Sequence, residues 1–165
     1  MNEAALIAVA AVGTLRLVEL WHAHRNTASL LAAGAIELGR GHYPFLVALH
    51  AAWLAAIAVL VPASATVSWP LLAVFGLLEV LRLWVLLSLG RFWTTRVITL
   101  PGAPLVRRGP YRFLKHPNYL VVAAEIAVLP LVFGAWRIAL VFSVLNAAIL
   151  SWRIKIENAA LAERA

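Results

Sequence analysis

The sequence predicts an all-α integral membrane protein with five transmembrane helices, and three observations support this fold class. Hydrophobic residues make up 64% of the chain and the mean hydropathy is +0.90, whereas soluble domains are about half apolar. The apolar residues form five long segments, and a spanning helix needs roughly 20 mainly apolar residues. Basic residues concentrate in the connections between segments. We therefore expect a single membrane domain over residues 1–165, with no separate soluble domain beside it.

The overall composition excludes several kinds of site and partner. Cysteine is absent, which rules out disulfides, thiolate nucleophiles, zinc–thiolate sites and iron–sulfur clusters. No two histidines have helical i, i+4 spacing, so a metal centre is not expected. The net charge of +7 comes from 14 Lys and Arg against 7 acidic residues. These basic residues interrupt apolar helices instead of forming a soluble face, so nucleic acid is not an expected partner.

Five apolar segments are the predicted spans. They run Ala4 to Trp21, Phe45 to Val61, Trp69 to Leu89, Tyr119 to Phe133 and Ile138 to Trp152. The first follows Glu3, where a secretory signal would carry Lys or Arg, so it is interpreted as a retained span. An uncharged turn, Pro62 to Ser68, joins the second and third. Only four residues join the last two, which predicts a tight antiparallel hairpin.

Two longer polar connections predict the orientation. They run from His22 to Pro44 and from Arg91 to Asn118, and the second holds six basic residues and no acid. With five crossings, both lie on the same face as the C-terminus. The positive-inside rule places that face in the cytoplasm and the N-terminus outside. Asn2 and Ser64 are then outside, and Arg107 and Ala165 cytoplasmic.

Ionisable residues inside the spans need partners, because each costs about 2.5–3.5 kcal/mol on insertion scales. Arg16 and Glu19 are three residues apart, as are Glu79 and Arg82, so each pair can neutralise itself locally. Glu125 has no basic residue one turn away. It requires a partner from another helix or a protonated carboxyl group.

The fifth helix carries a polar stripe. Asn146, Leu150, Arg153 and Glu157 are spaced 4, 3 and 4 residues apart, which aligns them on one helix face. Arg153 and Glu157 form either an interfacial salt bridge that closes the helix or part of a site.

The segment Gly109 to Tyr119 is the densest polar and aromatic cluster in the chain. Pro117 stands where a first-turn proline is tolerated. The free amides of that helix start, with Arg112 and Lys115 beside them, favour an anion such as a cofactor carboxylate. The turn Pro101 to Pro104 folds the basic loop back toward the membrane. The alternative is a basic loop that only contacts membrane lipid headgroups.

These residues resemble the signature of the isoprenylcysteine carboxyl methyltransferase family. The matching elements, over about residues 101–161, are Gly109-Pro110-Tyr111, Lys115-His116-Pro117, Tyr119, Arg153 and Glu157. Two departures are Lys115 where the family usually has Arg and Asn158 where many members have a second acid. The N-terminal half resembles a short bacterial branch associated with type III polyketide synthases, on Arg16, Glu19, Arg25-Asn26, Glu37 and His42-Tyr43-Pro44.

The resemblance implies an S-adenosylmethionine-dependent methyltransferase. His116 and Tyr119 would contact the cofactor, and Tyr111 and Arg112 would shape its pocket. Gly109 and Pro117 belong to the same cofactor loop, and Glu157 would bind the cofactor or order the site. Arg153 and Glu157 would be the catalytic residues. Arg153 would face the substrate nucleophile, with Asn146 also assigned to substrate.

The acceptor implied by the resemblance is a lipophilic molecule that enters from the bilayer. Its reacting group is a carboxylate, or the enolic or phenolic hydroxyl of an alkylpyrone or alkylresorcinol. The branch also implies a bacterial inner or plasma membrane and a functional link to a type III polyketide synthase. Two other functions remain open from the residues alone: a sterol-reductase-like membrane enzyme using NADPH, and a small transporter or lipid-binding protein.

Overall fold

The computed structural model describes residues 1–162, which form five α-helices and one two-stranded sheet. The helices are α1 Glu3–Ala32, α2 Tyr43–Leu60, α3 Trp69–Leu89, α4 Pro117–Val132 and α5 Trp136–Ala162. The strands β1 Ile36–Leu38 and β2 Val97–Thr99 pair antiparallel. Short 3-10 turns cover Arg40–His42, Gly90–Phe92 and Gly109–Arg112. Of the helices in this range, four are long and apolar enough to cross a membrane, so the chain is an integral membrane protein.

Helix α4 lies at the centre of the bundle. It packs against both α3 and α5, while α5 also packs on α2 and α2 on α1. Ile126 and Leu129 of α4 are buried in one apolar cluster with Trp53 and Ile57 of α2. Helix α4 has 16 residues and is therefore about 24 Å long at 1.5 Å per residue, short of the roughly 30 Å hydrocarbon core. A fifth crossing therefore stays a prediction.

The outer surface of the bundle is apolar. Large hydrophobic side chains such as Ile7 and Leu17 of α1, Val80 and Leu87 of α3 and Val144 of α5 are more than half exposed. Soluble proteins rarely expose so much contiguous apolar surface. Lipid contact explains these side chains, because each helix satisfies its own backbone hydrogen bonds.

The first helix is longer than the sequence predicted. The predicted span stops at Trp21, but α1 continues to Ala32 and takes up the first part of the expected polar connection. Tertiary contacts hold this extension: Ala23 is fully buried, and the Asn26 side chain donates to the carbonyls of Gly90 and Trp93 at 3.1 and 2.9 Å. The extension therefore packs on the turn after α3.

The strand pair corrects the all-α prediction in a small way. Ile36, Glu37 and Leu38 lie opposite Thr99, Ile98 and Val97. Three residues are too few to show the alternation by which a strand is recognised in a sequence. The pair matters because it joins the two polar connections, and Arg96 reinforces it with a 2.8 Å ion pair to Glu37.

The intramembrane charges form one network across three helices. Glu125 of α4 has the partner from other helices that its position requires: Arg82 Nη1 at 3.1 Å and Arg16 Nη2 at 3.4 Å. Arg16 also pairs locally with Glu19 at 2.7 Å. The expected local pair of Glu79 and Arg82 was wrong, since Arg82 instead bonds Glu19 at 2.7 Å and Glu79 bonds Arg16. Close packing of α1, α3 and α4 makes these partners nearer than those along one helix.

The basic loop after β2 is fixed to the end of α3. Arg108 Nε donates to the carbonyl of Ser88 at 2.7 Å, which satisfies a terminal carbonyl of that helix. Gly109 follows with φ +55°, and a Cβ there would collide with the Ser88 side chain. Arg108 and Gly109 therefore hold the loop across the end of the bundle at which α3 ends and α4 begins, which we call the membrane-surface end.

Candidate active site

A cavity of about 380 Å³ lies at this end of the bundle, within the size range typical of small-molecule sites. Its walls come from the end of α1, the segment after α3, β2, the basic loop, the start of α4 and the end of α5. Charged and aromatic residues on these walls include Trp93, Arg96, Arg107, Tyr111, Lys115, His116, Tyr119, Arg153 and Glu157. Residues more than 120 positions apart in sequence thus line one space.

The Tyr119 hydroxyl joins the two predicted catalytic residues. It accepts a 2.7 Å hydrogen bond from Arg153 Nε and donates a short one to Glu157 Oε2. Tyr119 and Arg153 are both buried. Within the part of the chain that the structure describes, Arg153 and Glu157 are linked through this hydroxyl and not by a direct salt bridge. The arrangement keeps the cation and the carboxylate on one wall without pairing them.

Arg153 is held on a second side by the protein backbone. Its Nη1 donates to the carbonyl of Thr95 at 2.6 Å and lies 3.3 Å from Nε2 of His42. No acceptor for Nη2 occurs within residues 1–162. Because Arg153 lines the cavity, the two Nη2 protons are available to a ligand there.

His116 packs against the Tyr119 ring. Its ring stacks on Tyr119 with a centroid distance of 5.3 Å and an interplanar angle of 21°. Its Nε2 lies 3.0 Å from Oδ1 of Asn158, and Nδ1 lies 3.7 Å from Glu157 Oε1. Asn158, which replaces an acid in the motif, therefore orients His116.

Tyr111 supplies a protonated phenol. It lies on the short turn before α4 and lines the cavity. Burial, followed by the nearby Glu157 carboxylate, raises the pKa of Tyr111 above its ordinary value. Its hydroxyl therefore remains a hydrogen-bond donor at neutral pH.

Three buried polar atoms on the cavity walls have no hydrogen-bond partner among residues 1–162. They are Trp93 Nε1, Thr99 Oγ1 and Asn118 Oδ1. Leaving such groups unpaired costs about 1–3 kcal/mol each, so they are natural contacts for a polar ligand. None of the three was predicted from the sequence as a site residue. Asn118 lay inside the selected cluster, but Trp93 and Thr99 carried no signal, because only the β1–β2 pairing brings that segment to the cavity.

Four residues predicted for the site lie away from the cavity walls. Gly109 packs on α3, Arg112 is exposed with its guanidinium 5.9 Å from the Phe113 ring, and Pro117 faces a separate apolar groove. Asn146 is on the buried face of α5, about two turns from Arg153, with an unpaired Oδ1. In this structure Gly109 and Pro117 shape the loop and the helix start.

The sequence model of the isoprenylcysteine carboxyl methyltransferase (ICMT) family matches residues 71–163, more than half of the chain. The chain belongs to this family. Residues 71–163 contain every residue that the sequence motifs assigned to the site, and all of the residues that line the cavity except Leu30. Members of the family use S-adenosylmethionine as methyl donor, and the protein is a membrane methyltransferase of the ICMT family.

Two relatives match over nearly the whole chain. The protein YpbQ of Bacillus subtilis (strain 168), described as uncharacterized, is 41% identical over 152 residues, which cover 90% of both chains. An uncharacterized protein of Haemophilus influenzae is 27% identical over 161 residues, covering 94% of this chain and 93% of that one. No solved structure matches the chain. The polyketide-associated branch of the ICMT family stays a prediction, since neither relative's name tests it.

Proposed function

We propose that the protein transfers a methyl group from S-adenosylmethionine to an oxygen atom of a lipophilic acceptor dissolved in the membrane. One observation carries this proposal: Tyr119, Arg153 and Glu157, which belong to the family's motifs, meet at the wall of one cavity at the membrane-surface end of the helices. A soluble cofactor can reach this end from water, while an apolar acceptor can approach from the bilayer.

The cavity suits the cofactor because it offers unused hydrogen-bonding groups. Trp93 Nε1, Thr99 Oγ1 and Asn118 Oδ1 are buried and unpaired in the described chain, and Tyr111 adds a phenol donor. Glu157 supplies a carboxylate that balances the positive charge of a sulfonium. The cofactor supplies a methyl group whose bond to sulfur breaks as the acceptor oxygen bonds to it, leaving a thioether.

Arg153 is the group best placed to hold the acceptor. Its Nε and Nη1 are engaged by Tyr119 and the Thr95 carbonyl, so the remaining Nη2 can donate to an oxyanion in fixed geometry. A carboxylate or an enolate reaches the site already ionised and needs no base. A phenol would need a proton acceptor, for which His116 and Glu157 are the candidates. The enzyme then has mainly to position the two reactants and to exclude water from them.

A second cavity supports a lipophilic acceptor. It has a volume of about 320 Å³ and lies between α3, α4 and the 3-10 turn before α4. Its lining is apolar throughout: Leu78, Leu81, Trp84, Val85, Pro110, Phe113, Leu114, Pro117, Leu120 and Val121. Leu114 also lines the first cavity. An apolar tail in this groove would bring its polar head toward the site.

Binding of the demethylated cofactor tests the proposal directly. Calorimetry in detergent should detect S-adenosylhomocysteine binding. When the purified protein is mixed with tritiated S-adenosylmethionine and a lipid extract from cells that lack the protein, tritium should appear in the lipid. Parallel reactions with N-acetyl-S-farnesylcysteine and with a long-chain alkylpyrone separate a carboxylate acceptor from an enolic one. Absence of heat and of any thermal shift at millimolar ligand would remove the methyltransferase assignment, and binding of NADPH instead would favour the reductase.

A further inference from the structure

His42 makes a buried contact with Arg153 that links the two halves of the chain. It stands at the start of α2, 111 residues before Arg153, and only 1% of it is exposed. Its Nε2 lies 3.3 Å from Arg153 Nη1. His42 is outside the region that the family's sequence model matches, residues 71–163. The contact is therefore a contribution of the N-terminal half to the site.

The chemistry of the two groups fixes the state of the imidazole. A guanidinium has five N–H donors and no acceptor, so in this hydrogen bond Nε2 of His42 must accept. An accepting Nε2 carries no proton, and the neutral ring then holds its proton on Nδ1. Nδ1 lies beside Gly39, whose backbone favours a proton on that nitrogen.

A neutral acceptor orients Arg153 without cancelling its charge. The Nε proton goes to the Tyr119 hydroxyl, one Nη1 proton to the Thr95 carbonyl and the other to His42. All three acceptors are uncharged. A carboxylate in place of His42 would hold the guanidinium as firmly but would pair with it, which would weaken its attraction for an anionic acceptor.

The segment that carries His42 packs closely against α5. Gly39 has φ +59°, and a Cβ there would lie 2.7 Å from the Ile156 side chain and 3.3 Å from His42 Nδ1. The Trp152 ring of α5 meets the imidazole in a T-shaped arrangement, with centroids 6.1 Å apart. The imidazole is thus enclosed beside Arg153 and does not line the cavity itself.

We infer that His42 is a positioning residue that holds the Arg153 guanidinium toward the methyl acceptor through an unprotonated Nε2. This inference rests on the proposed function for its consequence, but its structural part stands independently. The first test therefore uses no substrate. Nitrogen-15 spectra of histidine-labelled protein in detergent, with His42 assigned by its loss in His42→Gln, should show the neutral Nδ1–H tautomer at pH 7. An Nε2–H tautomer or an imidazolium at this position would overturn the inference.

The second test compares three substitutions on α2 or at its start. His42→Leu removes the acceptor and keeps an apolar side chain, while His42→Gln offers an amide oxygen in its place. His50→Leu is the matched control, because within residues 1–162 the one hydrogen bond of the His50 side chain is to the Leu46 carbonyl of its own helix. Rates are measured with tritiated S-adenosylmethionine and the lipid extract used above.

The expected result is a selective loss of turnover. His42→Leu should lower kcat between about 10-fold and 100-fold, the scale of a misplaced reacting group, with the KM for S-adenosylmethionine and the melting temperature close to those of His50→Leu. His42→Gln should recover most of the rate. Equal rates in wild type and His42→Leu, or equal losses in the Leu and Gln variants, would refute the positioning role. Absence of methylation by the wild type would instead count against the proposed function.

Discussion

At the scale of single residues, the site depends on how three side chains share one hydroxyl group. Tyr119 accepts from Arg153 and donates to Glu157, so a cation and a carboxylate one helical turn apart are kept from pairing. The guanidinium can then attract an anionic acceptor, and the carboxylate can face a cationic cofactor. Since the two residues have different tasks, their losses should have different effects.

Arg153→Ala should lower turnover on the order of 10²-fold or more, because a donor to the acceptor oxygen is lost. Glu157→Ala should chiefly weaken S-adenosylmethionine binding and leave the Tyr119 hydroxyl without its acceptor. Steady-state kinetics, with cofactor affinity measured separately by calorimetry, distinguishes the two. Lys155→Ala is the control, because Lys155 lies between them on α5 but is exposed.

A surface ion pair predicts another outcome. If Arg153 and Glu157 only closed the helix, each change would cost about 0–1 kcal/mol of stability and leave catalysis intact. Near-normal activity in both variants would therefore contradict the site assignment while leaving family membership untouched.

At the scale of helices, the charge network holds α1, α3 and α4 in register. Arg82 reaches Glu19 on one side and Glu125 on the other, at 2.7 and 3.1 Å. Arg82 is buried, and it belongs to neither cavity. The network therefore acts on the stability of the bundle and not on the chemistry of the site.

Arg82→Leu should destabilise the protein by about 3–5 kcal/mol, because two carboxylates lose a partner within the apolar bundle. Unfolding by SDS titration in mixed micelles measures this loss. Arg137→Leu, at the exposed start of α5, should change stability little. S-adenosylhomocysteine affinity of the folded Arg82→Leu protein should match that of wild type, and a large loss of affinity would argue that the network shapes the site.

At the scale of the whole molecule, both polar connections and the end of α5 lie at one end of the bundle, with the cavity between them. The sheet β1–β2 joins these connections. Asn26 fixes the first connection to the turn after α3, and Arg108 fixes the second to the last turn of α3. This end holds the exposed basic residues Arg91, Arg107 and Arg112. The positive-inside rule therefore predicts that the site opens to the cytoplasm.

Single-cysteine labelling tests this orientation cleanly, since the chain has no cysteine of its own. An impermeant reagent applied to intact cells should label position 64, which is exposed, and should spare position 107. Asn2 is buried against the same loop, so it is not a labelling site. The same prediction places Ala165 in the cytoplasm, although that residue lies outside the described part of the chain. Labelling at position 107 in intact cells would reverse the orientation.

Much of the molecule was predictable from short-range patterns in the sequence. Apolar length and charge asymmetry indicated a membrane bundle, because the bilayer imposes the same requirement on any spanning segment. The isolated position of Glu125 required a partner from another helix or a protonated carboxyl group, and Arg16 and Arg82 lie within ion-pair distance of it. The motif residues Tyr119, Arg153 and Glu157 were selected together because their family resemblance and their spacing pointed to the same place.

Other features depended on which distant segments meet, and the sequence alone did not determine them. Helix α1 extends past Trp21 because Ala23 and Asn26 find partners on the turn after α3, and helix propensity does not report such contacts. Thr99 reaches the cavity only through a three-residue strand pair. Arg82 pairs across helices because its nearest carboxylates in space are not its nearest in sequence. Sequence patterns determine what each segment requires, while the tertiary structure decides which segment supplies it, because burial and hydrogen bonding act over distances of a few ångströms regardless of position in the chain.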